Sequence, residues 1–269
     1  MRARLTALIA VVACLATGCS GTSGRQPATS PAAPTNSGVP TLKPQVLAEI
    51  PHDGTAFTQG LELVDGVLYE GTGLEGRSQM RATDPATGSV RERVELPDEL
   101  FGEGITVVGD RIWQITWQNG VAIERDRDTL AEKRQVTYEG EGWGICHDGG
   151  RLIMSDGTDK LTFRDPATFA ATGEVRVRDS QGPVVKLNEL ECVDGAVYAN
   201  VWETDRIVRI DPATGGVTAV VDLAGLLPAD ERAGTDVLNG IAAVPGTDEF
   251  LVTGKLWPKL FRVRFATSG

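Results

Sequence analysis

Gln59-Gly60-Leu61-Glu62-Leu63-Val64-Asp65-Gly66 and Asn188-Glu189-Leu190-Glu191-Cys192-Val193-Asp194-Gly195 share two apolar positions and a terminal Val-Asp-Gly. The same register returns at Glu103-Gly104-Ile105, Trp143-Gly144-Ile145 and Asn239-Gly240-Ile241, so equivalent positions stand at 59, 103, 143, 188 and 239. A second strand follows each copy: Val67 to Glu70, Arg111 to Thr116, Arg151 to Ser155, Ala196 to Val201 and Phe250 to Thr253. Further on come the turns Asp84-Pro85-Ala86-Thr87-Gly88, Asp165-Pro166-Ala167-Thr168 and Asp211-Pro212-Ala213-Thr214-Gly215, with Asp126-Arg127-Asp128-Thr129 as the fourth of the kind. Asp-Pro and Thr-Gly at fixed offsets between apolar runs are hairpin punctuation. A period of roughly 40 to 45 residues holding four short strands is the pattern of a propeller blade. The expected fold is therefore all-β, a five-bladed β-propeller over residues 45–269. The last repeat ends one strand short after Leu260 to Phe265, while Gln45 to Ile50 precede the first repeat unassigned. The N-terminal strand is expected to complete the last blade and so remove an open edge.

The chain has 269 residues, 37 acidic against 26 basic, a net charge of −11 and 32 glycines. Phosphate-backbone binders concentrate Lys and Arg to displace counterions, so this balance argues against a nucleic-acid partner. The glycines fit many tight turns rather than a helical bundle. At the N-terminus, Arg2 and Arg4, the apolar run Leu5 to Ala16 and then Thr17-Gly18-Cys19 read as an export signal, too short to span a bilayer as a mature helix. The small residues before Cys19 resemble a bacterial lipoprotein signal, in which the cysteine thiol receives a diacylglycerol. Ala16 departs from the branched aliphatic usual there, and the alternative is an ordinary signal peptide with an unmodified Cys19. Residues 1–18 are expected to be removed and residues 19–44, rich in Pro, Ser and Thr, to form a flexible tether. The domain is then expected outside the cytoplasm, a monomer held to the membrane only by its lipid. Cys146 and Cys192 remain in the fold and are expected as two buried thiols, with a disulfide the alternative in an oxidising compartment.

In a propeller the first strand of every blade lines the central channel, so equivalent positions converge on the axis. Gln59, Glu103, Trp143, Asn188 and Asn239 therefore meet there. Hydrogen-bonding side chains are costly at such positions unless they bind something polar. Fourteen to sixteen residues later each copy returns to one rim, at Gly73, Trp117, Gly157, Trp202 and Lys255. An aromatic-walled, polar-floored pocket is expected. Glu103, the one carboxylate in the converging set, reads as a general acid/base with a raised pKa rather than a solvated turn acid. Lys255 could instead be a snorkelling surface lysine, the tryptophans ordinary core, and the amides mere ties between strands.

Other chemistries fail in context. Gly71-Thr72-Gly73-Leu74-Glu75-Gly76 matches a dinucleotide fingerprint, but a strand rather than a helix follows it. His52 and His147 are the only histidines and have no partner at ligand spacing, against a histidine zinc site or a Ser-His-Asp triad. A calcium lactonase would want several axial carboxylates. A non-catalytic, lipid-tethered binder of an extracellular peptide or protein remains the alternative to an enzyme.

Phe57-Thr58-Gln59-Gly60-Leu61, Phe101-Gly102-Glu103-Gly104-Ile105-Thr106, Gln114-Ile115-Thr116-Trp117, Glu141-Gly142-Trp143-Gly144, Leu187-Asn188-Glu189-Leu190-Glu191, Asn200-Val201-Trp202 and Leu238-Asn239-Gly240-Ile241-Ala242 together resemble the plant and bacterial (papaya-latex) type of glutaminyl-peptide cyclotransferase. The resemblance runs from about residue 45 to the end. It implies a five-bladed propeller and an enzyme converting N-terminal glutamine of peptides and proteins to pyroglutamate with release of ammonia. It implies Glu103 as the essential acid/base, and Phe57, Gln59, Asn188, Lys255, Trp117, Trp143 and Trp202 as the lining. No cofactor is implied, nor the metal of the unrelated animal-type enzymes. Lys255 with one or both of Asn188 and Gln59 would steady the developing oxyanion while the tryptophans exclude water.

Overall fold

The computed structural model describes residues 38–267. The signal segment, Cys19 and the tether as far as residue 37 lie outside the described residues. Within them the chain is all β apart from one short 3-10 turn, Ala229–Glu231, and no helix is long and apolar enough to cross a membrane.

After β1 (Thr41–Pro51) come four antiparallel sets of four strands. They are β2 to β5 (Thr58–Val64, Val67–Thr72, Gln79–Thr83, Val90–Glu95) and β6 to β9 (Gly102–Val108, Arg111–Thr116, Val121–Asp126, Glu132–Thr137). Next are β10 to β13 (Ile145–His147, Leu152–Ser155, Lys160–Arg164, Ala171–Arg176), then a small hairpin of β14 (Arg178–Asp179) and β15 (Gly182–Pro183). The fourth set is β16 to β19 (Leu187–Val193, Ala196–Val201, Arg206–Ile210, Val217–Asp222). β20 (Leu238–Ala243), β21 (Glu249–Gly254) and β22 (Lys259–Thr267) form a last meander of three. Its fourth strand is β1, antiparallel to β22 from Leu42↔Thr267 to Pro51↔Lys259. At its start β1 also runs parallel to β19, Thr41 beside Val220 and Leu42 beside Val221, which fuses two sets into one eight-stranded sheet. Thr41 to Pro44, expected in the tether, are thus strand, because pairing with β22 extends to its last turns.

In each set the fourth strand is less buried than the first. β6 is buried over six of its seven residues, whereas the fourth strands β5, β9 and β13 share one pattern, exposed but for a single half-buried residue. A strand covered on both faces takes a nearly continuous apolar run, while an edge is protected by charge, as in Arg91-Glu92-Arg93. Between third and fourth strands the aspartates close the hairpins: Asp84, Asp126 and Asp165 each accept the backbone N–H groups two and three residues on. Such side-chain turns are what short carboxylates offer the backbone.

The apolar core is divided among the faces between neighbouring sheets. Trp113, Ile115, Ile145, Leu152 and Met154 fill one such space, and Ile153, Leu161, Val197 and Val208 the next. Ile50, Leu61, Leu68, Ala242, Leu251 and Leu260 join the last meander to the first, so the arrangement closes on itself. The structure is propeller-like, with β2, β6, β10, β16 and β20 innermost. The glycines of the dinucleotide-like stretch lead into β4, a strand, as its context required.

Cys146 and Cys192 form a disulfide with Cα atoms 5.4 Å apart, correcting the expectation of two free thiols. They lie on β10 and β16, innermost strands of adjacent sheets, which brings them face to face. The bond spans 46 residues, and chain-entropy arguments for loops of that order give roughly 3 to 4 kcal/mol. Cys146→Ser/Cys192→Ser should unfold about 8 to 15 °C lower than the parent in a calorimetric scan. Equal midpoints with the parent fully oxidised would remove that stabilising role.

Candidate active site

One mouth of the channel opens into a cavity of about 410 Å³ lined by Phe57, Gln59, Phe101, Glu103, Trp117, Trp143, Asn188, Trp202 and Lys255, with Glu203, Asp236 and Val237 at its border. The route from repeat to pocket is visible in the backbone. The N–H groups of Gly73, Trp117, Trp202 and Lys255 donate to the carbonyls of Phe57, Phe101, Lys186 and Val237, each two residues before a converging position. That bond carries these four rim residues back over the inner strand, while the fifth, Gly157, donates to the Leu187 carbonyl. Immediately after the rim, Leu74, Glu203 and Leu256 adopt φ of 87°, 61° and 61°, uncommon for side-chain-bearing residues and reversing the chain there. Glycine at two of the five rim positions makes room for rings. A Cβ on Gly73 would lie 2.4 Å from Phe101, and one on Gly157 2.6 Å from Trp143.

Glu103 is buried, and its Oε1 accepts a hydrogen bond from Gln59 Nε2 at 2.9 Å. Gln59 Oε1 accepts in turn from Asn239 Nδ2 at 3.2 Å, and the same nitrogen donates to the Thr58 carbonyl. Both ends of the Gln59 amide are therefore engaged, so Gln59 acts as support for Glu103 within the lining. Asn239 does not line the cavity. Expected at the axis with the other converging residues, it sits behind Gln59, its side chain reaching the neighbouring strand. Burial pushes the Glu103 carboxyl well above the usual carboxylate range; Lys255 opposes this and Glu141 adds to it.

Lys255 is buried, with its Nζ 4.7 Å from the centroid of the Phe57 ring. Burial lowers its pKa, while Glu103 and Asp236 draw it back up. Asn188 Oδ1 is buried without a hydrogen-bond donor. An orphaned acceptor in a closed interior is costly, and here it faces a cavity that can deliver an N–H group. The walls are aromatic pairs: Phe57 against Phe101, Phe101 against Trp117, and Trp143 edge-on to Trp202 at 5.4 Å. The other two tryptophans, Trp113 and Trp257, are core.

Phe101, Glu203, Asp236 and Val237 escaped the sequence reading. Phe101 and Val237 occupy the place two residues before a converging position, as Phe57 does, and that register was the available signal. The expectation of a single axial carboxylate is also corrected. Glu189 and Glu191 are buried and Glu62 is half-buried, and burial raises all three, Glu62 to about 7 and the other two well above the ordinary value. Glu189 stands where the other four inner strands have glycine, and its carboxylate accepts from the Leu61 and Ile241 N–H groups at 3.2 and 2.9 Å. Among the described residues no group of three or more His, Cys, Asp or Glu is placed to hold a metal ion.

A buried acid, a buried amine, an unpartnered amide oxygen and five aromatic side chains suit proton transfer at a small polar group carried on an apolar stem. The sequence model of the family described as glutamine cyclotransferase matches residues 12–265. A glutaminyl-peptide cyclotransferase of Arabidopsis thaliana is 40% identical over 226 residues, covering 82% of this chain and 70% of its own. The crystal structure of the Myxococcus xanthus glutaminyl cyclase is similar with a TM-score of 0.79 at 36% identity, covering 86% of this chain and 99% of that one.

Proposed function

The chain belongs to the glutamine cyclotransferase family, and from that premise we propose that it converts the N-terminal glutamine of peptides and proteins to pyroglutamate and ammonia on a five-bladed propeller. The observation that carries the reading is Glu103, a buried carboxyl fixed by Gln59 at the floor of an indole-walled cavity.

The attacking α-amine and the γ-carboxamide belong to one residue, so the protein need only hold a ring-closing conformer. The indoles and Phe57 grip the glutamine stem and exclude water. Asn188 Oδ1 accepts an N–H of the substrate, and Lys255 Nζ donates to the oxygen that gains charge as the ring bond forms. Burial favours the protonated form of Glu103, so it enters as the acid. It gives its proton to the amide nitrogen as the exocyclic C–N bond breaks, then recovers one from the ring nitrogen, which became an ammonium on attack. Ammonia leaves and the acid is restored.

Only the neutral amine attacks, so kcat/KM for Gln-Ala should rise through about pH 7.7 to 8.0, the ordinary α-amino range. It should fall again at higher pH, where Glu103 loses its proton. Ammonia release, followed by a coupled assay across that range, should occur with Gln-Ala and not with Glu-Ala. Silence with Gln-Ala at high enzyme concentration would favour a non-catalytic peptide binder instead.

A further inference from the structure

We infer that Glu141 is a positioning residue that locks the two halves of the aromatic wall into one binding surface. Resting on the cyclotransferase reading above, the inference adds a residue which that reading does not use. One carboxylate oxygen, Oε2, accepts from both Trp117 Nε1 and Trp143 Nε1, each at 2.9 Å. The other, Oε1, accepts from Gln118 Nε2 at 2.9 Å. Trp117 continues through Phe101 to Phe57, beneath Lys255. Trp143 continues to Trp202, whose ring carries Lys186 Nζ at 5.2 Å. Glu141 is the point where these two runs meet.

Its place in the repeat supports the assignment. Glu141 lies two residues before Trp143, as Phe57 and Phe101 lie before Gln59 and Glu103. Two repeats thus put a ring at this position, while the third puts an acceptor between two rings. An indole N–H has no acceptor of its own to offer, so neither tryptophan can bond the other; a bifurcated carboxylate aligns both. The carboxylate must be charged to hold three donors at full strength. Burial alone would push it up, but Trp143, Gln118 and Trp117 together hold it below its ordinary value.

Glu141→Ala and Glu141→Gln separate alignment from charge, since a glutamine oxygen can still accept from both indoles. Turnover of Gln-Ala and the near-ultraviolet circular dichroism of the tryptophans would be measured on each purified protein. Glu141→Ala should lose about 30- to 100-fold in kcat/KM, mostly through KM, with a reduced tryptophan dichroic signal and an unfolding midpoint close to the parent's. Glu141→Gln should keep the dichroic signal and return to within about fivefold of the parent. The inference is overturned if Glu141→Ala keeps both the signal and activity within threefold, or if Glu141→Gln is as impaired as Glu141→Ala. Should Glu141→Ala not fold, Glu141→Leu keeps the bulk and takes its place under the same criteria. A parent that releases no ammonia, beside the expected dichroic changes, would sink the cyclotransferase reading and leave the alignment standing.

Discussion

Glu103→Gln should lower kcat/KM for Gln-Ala by about a thousandfold, in the middle of the range for losing a general acid/base, with KM within about threefold. The amide keeps the shape of the side chain, and its oxygen can still accept from Gln59 Nε2, where Oε1 accepts now. It has no acidic proton to give, so the nitrogen would have to leave as an amide anion. The defect should therefore fall on kcat. Circular dichroism and the unfolding midpoint should match or exceed the parent's, because a buried ionisable group is replaced by a neutral one. Steady-state assays with Gln-Ala at several pH values check this, and the falling high-pH limb should vanish together with the activity. If turnover stayed within about tenfold of the parent, the proton would be moving by another route.

The second large effect concerns stability. Gly144→Ala should lower the unfolding midpoint by about 6 to 12 °C, the shift expected from roughly 3 kcal/mol of overpacking in a domain of this size. A Cβ on Gly144 would sit 2.1 Å from the Asn188 carbonyl oxygen and 2.8 Å from Glu189 Cα. Both are backbone atoms of the next inner strand and cannot rotate away. The Asn188 carbonyl also accepts from Ser155 Oγ at 2.7 Å, which pins it from the other side. Strand β16 would have to move outward, taking the Asn188 side chain with it, so activity should fall along with stability. Gly173→Ala serves as the contrast: its Cβ would meet only the Phe163 ring at 3.4 Å, and its midpoint should stay near the parent's. Calorimetry on the two variants decides it, and a Gly144→Ala midpoint within 2 °C of the parent would mean that the inner strands are not close-packed.

Much of the pocket was readable because a single register governs it. Positions 59, 103, 143 and 188 and the rim positions 117, 202 and 255 reach one cavity, and the repeat alone brings them together. What escaped was the ring of residues two places earlier. Phe101, Glu141 and Val237 share the register of Phe57, yet Phe, Glu and Val have no common chemistry to mark them as equivalent. Glu189 escaped for a related reason. The octapeptides at 59 and 188 show Gly60 replaced by Glu189, but a charged residue in a strand reads as outward-facing unless backbone donors await it. Here Leu61 and Ile241 supply those donors from neighbouring strands. Asn239 had the right register, but its short amide turns to Gln59 instead of the cavity, a choice set by strand spacing. The disulfide was open to the same reading, since Cys146 and Cys192 fall at neighbouring places in consecutive repeats.

The pairing of β1 with β22 also sets the order in which the molecule can assemble. Each meander from β2 onward is built of neighbours in sequence and can form as soon as its own strands exist, at the fast end of β-sheet kinetics. The circle cannot shut until β1 and β22 meet, a pairing of the greatest sequence separation among the described strands. Linear repeat arrays fray from their ends because each unit leans only on its neighbours. A shut circle has no terminal unit to fray, so local losses are shared around it and unfolding should proceed as one event. The floor of the pocket gains from this: Gln59 and Asn239, contributed by the first and last meanders, bond each other only after closure, so a chain that has not finished folding lacks the support under Glu103.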